Sequence, residues 1–226
     1  MKEQTLMSGE ELWQAVARRL PQLSSEEQRT GIVLLRELAR GEAVGTPQIA
    51  RALGTPAGEV EARLKESALS PFVHMDHAGS IVGFWGLSTV RTHHRLTLNG
   101  RALWTWCAYD SLFLPELLGE TAHVESRDPQ SDDLIQLTIT PTRIESVEPK
   151  GVVLSMNSPE VWELSSAGRV MASACHFIFF FASRASGERW VANHARTVLL
   201  SLDEAFEYGR QQNVRMFGSA LVPRNG

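Results

Sequence analysis

Residues 99–119, NGRALWTWCAYDSLFLPELLG, change character part-way. Asn99-Gly100 is a strong hairpin signal, because both central positions of a type I′ turn need φ above zero. HHRLTLNG (93–100) alternates polar and apolar residues, so it and RALWT read as strands on either side of that turn. Near Cys107 the segment becomes helical, and Pro115 forbids one long uninterrupted helix. Strand, turn and helix within one short stretch point to a sheet with flanking helices.

Downstream, HVESRDPQSDD (123–133) reads as a polar loop, and LIQLTITPTRIESVEP (134–149) and GVVLSMN (151–157) read as strands. CHFIFFFAS (175–183) is aromatic and β-branched with few charges, which predicts a buried strand. SGERWVANH (186–194) and SLDEAFEYGRQQNVRMF (201–217) read as helices, the second capped by Ser201.

Upstream the chain is helical. SGEELWQAVARRL (8–20) and SSEEQRTGIVLLRELARGE (24–42) each place Ser three residues before Glu, at Ser8/Glu11 and Ser24/Glu27, the capping-box pattern. TPQIARALGTPAGEVEARLKES (46–67) reads as two short helices joined at Gly54, with Thr46 and Thr55 as N-caps before proline. FVHMDHAGSIVGFWGLS (72–88) reads as a hairpin around Asp76–Gly79. A helix-turn-helix followed by a hairpin is a winged-helix outline. The expected fold is α+β: a winged-helix-like helical domain over 1–85, then a mostly antiparallel sheet domain with flanking helices over 86–226.

The 226 residues are 43% hydrophobic with net charge −4, enough for a sizeable core and ill-suited to a chain-wide nucleic-acid binder. MKEQTLMSGEELWQAV lacks the apolar core of a signal peptide, and FIFFFA (177–182) is too short to span a membrane. The expected location is cytoplasmic. Two cysteines in such a chain do not make a secreted disulfide scaffold. They are expected to be free thiols.

One of them, Cys107, lies three residues before Asp110, so the two share a helical face. A helix N-terminus beside Cys107 is expected to lower its thiol pKa. Buried free cysteines more often serve as small hydrophobes, and Asp in a first helical turn is often only a dipole partner. The second, Cys175, follows the small-residue run VMASA, and no spacing of Cys-x-x-Cys or zinc-finger type is present. Spacing alone does not bring the cysteines together.

The motifs together resemble the alkylmercury lyase (organomercurial lyase) family of bacterial mercury resistance. WCAYDSLFLPELLGETAHV matches one family segment, and CHFIFFFAS a second. VEPKG (147–151), ERWVANH (188–194), DEAFEYG (203–209) and the N-terminal LLRELARGEAV (34–44) follow the family's order. The resemblance runs from about residue 32 to about 215 and implies a catalytic trio of Cys107, Asp110 and Cys175. Two departures stand out: His176 follows the second catalytic cysteine where better-known members have another cysteine, and Asp128 aligns with a further family cysteine of structural role.

The implied reaction is protonolysis of a carbon–mercury bond to a hydrocarbon and mercury(II). Mercury is soft and prefers thiolate sulfur, which suits Cys107 and Cys175 as its ligands, with Asp110 beside them. An ordinary Asp, with pKa ~3.9, is ionised at neutral pH and cannot begin as the acid unless desolvation raises that value. A relay avoids this: Asp110 takes a proton from a cysteine as its sulfur binds mercury, then gives it to carbon. Trp106 and the Phe177–Phe181 run suggest an apolar pocket for the organic group, although buried aromatics are more often core. No cofactor is expected. Cellular thiols would remove the product, with mercuric reductase as downstream acceptor.

Three other readings compete. A winged-helix regulator could sense a metal or electrophile through its cysteines, but TPAGEVEARLKES is too acidic for a phosphate-facing helix. A thiol oxidoreductase or a plain mercury-binding protein would use the same cysteines. A resting zinc site would need a histidine; His93 and His94, adjacent in a strand, point to opposite faces, and His176 would point away from Cys175.

Overall fold

The structure, a computed structural model, describes residues 9–221. Four helices come first: α1 (Gly9–Arg19), α2 (Ser25–Leu38), α3 (Thr46–Leu53) and α4 (Ala57–Glu66). The Ser24/Glu27 capping box is formed in both directions at the start of α2. Ser8 lies outside the described residues. Thr46 and Thr55 do not cap: Gly45 is the N-cap of α3 and Pro56 that of α4, neither with a side-chain cap. Pro47 lies in the first turn of α3, where its fixed φ suits the helix, and Pro56 is itself the cap residue of α4, so neither helix starts on a capping hydroxyl. Gly54 closes α3 at φ 67, where the left-handed conformation favours glycine.

An eight-stranded sheet follows, made of β1 (Val73–Met75), β2 (Ile81–Phe84), β3 (Leu87–Ser88), β4 (His94–Leu98), β5 (Arg101–Thr105), β6 (Ala122–Arg127), β7 (Leu134–Ile139) and β8 (Ile144–Glu148). Its order is β1-β2-β3-β5-β4-β6-β7-β8, antiparallel at every pairing. The β4–β5 hairpin turns at Asn99 and Gly100, both at positive φ, as the Asn-Gly signal requires. A second sheet is ordered β10-β9-β11, from β9 (Val153–Asn157), β10 (Phe180–Phe181) and β11 (Thr197–Ser201). Helices α5 (Asp110–Leu118), α6 (Ala167–Ser173), α7 (Arg184–Asn193) and α8 (Leu202–Phe217) flank the sheets. The mixture of helices and antiparallel sheet is the expected α+β class. One apolar core runs from Leu12 in α1 to Phe217 in α8. Among the described residues, no helix is long and apolar enough to cross a membrane.

Two further local expectations, both downstream of residue 120, also fail. His123–Arg127 is strand rather than loop: its burial alternates, with Val124 and Arg95-paired Glu125 on opposite faces, and it bonds to both β4 and β7. The polar residues there occupy the open face of a half-buried strand. CHFIFFFAS is not one strand. Cys175–Phe177 is a 3₁₀ turn continuing from α6, and only Phe180–Phe181 pair with β9. A short apolar run has no period that separates strand from buried turn, and tertiary packing decided it.

Candidate active site

The β5 strand delivers Thr105 and then releases the chain into a tight Cys107–Tyr109 loop before α5 begins at Asp110. Side chains, not helix periodicity, shape this loop. The Thr105 hydroxyl donates to the Cys107 carbonyl at 2.8 Å, and the Ser111 hydroxyl to the Ala108 carbonyl at 2.7 Å. Asp110 folds back so that its Oδ2 accepts the Cys107 backbone N–H at 2.8 Å. Pro115 is accommodated inside the nine-residue α5, which Gly119 ends at φ 70.

Cys175 arrives from the other side. Ser166 caps α6, which leads into the 3₁₀ turn holding Cys175. Ser155 of β9 clamps the chain just beyond that cysteine: its hydroxyl donates to the Phe177 carbonyl and accepts the Phe179 N–H. One main-chain bond, Ala108 N–H to the Ile178 carbonyl at 3.2 Å, then ties the two cysteine segments together.

The Sγ atoms of Cys107 and Cys175 and a carboxylate oxygen of Asp110 consequently all lie within 4.8 Å of one another. All three residues are buried and both thiols are free. No histidine joins this cluster among the described residues. His176 is exposed, His93 is exposed, and His94 is buried elsewhere on Ser126 at 2.8 Å, its pKa pushed down to about 3 by burial and then by His93.

Burial governs the electrostatics. The Cys107 thiol is raised well above its usual range, first by desolvation, then by its hydrogen bond to Cys175 and by the Asp110 carboxylate. The expected lowering by a helix N-terminus is therefore overturned: α5 starts three residues later, and loss of water dominates. For Cys175, the hydrogen bond from Cys107 favours the thiolate, but burial and the Asp110 carboxylate outweigh it and the thiol is also raised. Desolvation pushes Asp110 up to about 7 against the opposing hydrogen bonds from Cys107. Asp110 thus exists in both protonation states near neutrality, the condition a proton carrier needs.

The trio opens on a cavity of about 80 Å³. Its lining includes Phe72, Trp85, Trp106, Tyr109, Phe113 and Trp162, and Trp106 is there as anticipated. The Phe177–Phe181 run is not: within it only Ile178 reaches the cavity. Phe180 and Phe181 are fully buried on β9, and Phe179 packs on Trp190. A continuous strand would turn one face of that run toward the site, and the 3₁₀ turn removes it. Phe72, Trp85 and Trp162 were missed because nothing in the sequence spacing links them to Cys107. A larger groove of about 1240 Å³ lies on the open sheet face around Trp104 and Arg127, and contains none of the trio. Chemistry, not size, selects the smaller cavity.

Asp128 is 1% exposed, and its carboxylate accepts the N–H groups of Ala182 and Gln130 at 2.9 and 2.8 Å. It joins the end of β6 to the end of β10, a tethering contact made by the residue that stands where the family resemblance places a cysteine.

A family model described as alkylmercury lyase matches residues 87–213. The alkylmercury lyase of Staphylococcus epidermidis is 36% identical over 193 residues, 85% of this chain and 84% of its own. That of Bacillus cereus is 35% identical with the same coverage, and that of Pseudomonas putida 34% identical over 178 residues, 79% and 80% of the two chains. The crystal structure of the mercury-bound form of MerB2 matches with a TM-score of 0.71 at 22% identity, over 90% of this chain and 96% of that one, which shows a shared fold.

Proposed function

The chain belongs to the alkylmercury lyase family, enzymes that cleave the carbon–mercury bond, and from that premise we propose that Cys107, Cys175 and Asp110 perform the cleavage. The observation that supports this assignment is the convergence of two buried sulfurs and one carboxylate within 4.8 Å.

Both thiols resist ionisation, so mercury must displace each proton as it binds. The first cysteine exchanges its proton, which is released to solvent, for the organomercury cation, giving a neutral R–Hg–S species. As the second sulfur coordinates, ionised Asp110 takes its proton. The two sulfurs push electron density toward mercury and make the attached carbon basic. Protonated Asp110 then delivers that proton to carbon; R–H leaves, mercury(II) stays on two thiolates, and Asp110 is again ionised. Every proton is accounted for without a cofactor. The cavity's aromatic rings receive the organic group and exclude water.

Mercury(II) on two thiolates leaves by exchange with competing soft donors, hence cellular thiols, and mercuric reductase is the acceptor the family resemblance suggests. We read α1–α4 with the β1–β2 hairpin as a winged-helix-like scaffold that binds no DNA. In α4, Arg63 pairs with Glu26 and Lys65 with Glu61, which leaves Glu59 and Glu66 to set the sign of the exposed face. The homologues lend the regulator reading no support.

Turnover of phenylmercuric acetate with excess thiol in deuterated water tests the proposal. Monodeuterated benzene is the expected product. Mercury capture with no benzene would leave only a mercury-binding protein.

A further inference from the structure

We propose that Gly86 is a positioning residue: its missing side chain is the seat into which the Asp110 carboxyl fits. The inference rests on Asp110 being the proton carrier. Strands β2 and β3 pair through Phe84 and Leu87, so Trp85-Gly86 is a two-residue hairpin turn. Both residues have positive φ, 50° and 89°, the type I′ arrangement. A tryptophan is ill-suited to that conformation. It is held there by packing, with its ring 4.4 Å from Phe72 and 5.4 Å from Phe217 between centroids.

The turn is also bonded to the catalytic segment, since the Gly86 carbonyl accepts the Trp106 N–H at 2.8 Å. A Cβ built on Gly86 would lie 2.3 Å from Asp110 Cγ, 2.5 Å from its Oδ1 and 2.7 Å from its Cβ. No side chain fits without displacing Asp110. One carboxylate oxygen, Oδ2, is fixed by the Cys107 N–H, and the other, Oδ1, occupies the space a Gly86 side chain would take. The carboxyl is thereby held within 4.8 Å of both sulfurs by the main chain of Cys107 and the space left at Gly86.

Backbone strain must be separated from this contact, and Gly79 provides the control. It also sits in a hairpin turn at positive φ, 81°, but a Cβ there meets nothing within 4 Å. Gly86→Ala and Gly79→Ala therefore share the conformational penalty and differ in the clash. Gly86→Ala is expected to capture one equivalent of phenylmercury as wild type does and to release benzene at least about 100-fold more slowly, the scale of a 1 Å misplacement. Gly79→Ala should release it within about threefold of wild type. Equal release rates in the two variants would overturn the proposal.

Folding supplies a second test that does not depend on turnover. In an Asp110→Gly background, which removes all three clashing atoms, Gly86→Ala should lower the melting temperature no more than Gly79→Ala does. If Gly86→Ala alone fails to fold, recovery of folding in the Asp110→Gly background supports the seat, and continued failure to fold overturns it. Absence of benzene from wild type would sink the lyase chemistry while leaving this stability comparison to decide the role of Gly86.

Discussion

The Asp110 carboxylate accepts the backbone N–H of Cys107 at 2.8 Å, so the group proposed as proton carrier and one of the thiols proposed to bind mercury are locked in a single loop. The bond favours the ionised carboxylate, yet burial prevails and holds the group near neutrality. That contest shapes much of the mechanism.

Asp110→Ala is expected to retain both thiols and to bind organomercurial stoichiometrically. Hydrocarbon release should fall by about 100-fold or more, the usual scale for losing a positioned general acid. Stopped-flow capture and gas-chromatographic release, measured on the same sample, separate the two steps. Slow capture with release unimpaired would contradict the role.

The acid limb of kcat/KM should have a pKa near 7, because the relay needs Asp110 ionised when the second cysteine gives up its proton. Activity therefore rises with pH through that value. A profile flat from pH 5 to 8 would remove Asp110 from the relay.

The same shift has a consequence for stability. Asp110 binds its proton more tightly folded, at about 7, than unfolded, near 3.8. Its stabilising contribution is complete below about pH 4 and is lost as pH rises through 7. The isosteric Asp110→Asn should thus be more stable than wild type at pH 8 by an amount on the order of a few kcal/mol, with the gap closing toward pH 4. Urea unfolding at the two pH values measures it; a gap that does not depend on pH would count against a buried, raised carboxyl.

Asp128→Ala should act on folding alone. It leaves the buried Ala182 N–H without its acceptor, at a cost of about 1–3 kcal/mol. The release rate per folded molecule should stay within about threefold of wild type. His176→Ala, altering an exposed side chain beside the site, should change neither quantity appreciably. A large loss of turnover in either variant would mean that the trio is incomplete.

Legibility in the sequence depended on how local each signal was. The β4–β5 hairpin and the caps at Ser24 and Ser201 were readable because their physics lies within a few residues. Cys107 and Asp110 were readable as neighbours, although a loop hydrogen bond and not the expected shared helical face joins them, and the family resemblance supplied Cys175. The turn at Cys175 was not readable, since CHFIFFFAS is apolar throughout and only α6, Ser155 and Ala108 bend it. The direction of the thiol pKa shift was misjudged because a helix end is visible in sequence and the depth of burial is not. Phe72, Trp85 and Gly86 reach the site because the β1–β2 and β2–β3 pairings and the Trp106 N–H to Gly86 bond bring them beside the Cys107 loop, a tertiary placement with no trace in the sequence spacing.

The central claim is that two sulfurs and one carboxylate act on a single mercury atom. Benzene release from phenylmercuric acetate in excess thiol, compared among wild type, Cys107→Ala and Cys175→Ala, tests it most directly. The account predicts sustained turnover in wild type and a loss of about 1,000-fold or more in each variant. Turnover at the wild-type rate with either cysteine removed would contradict it.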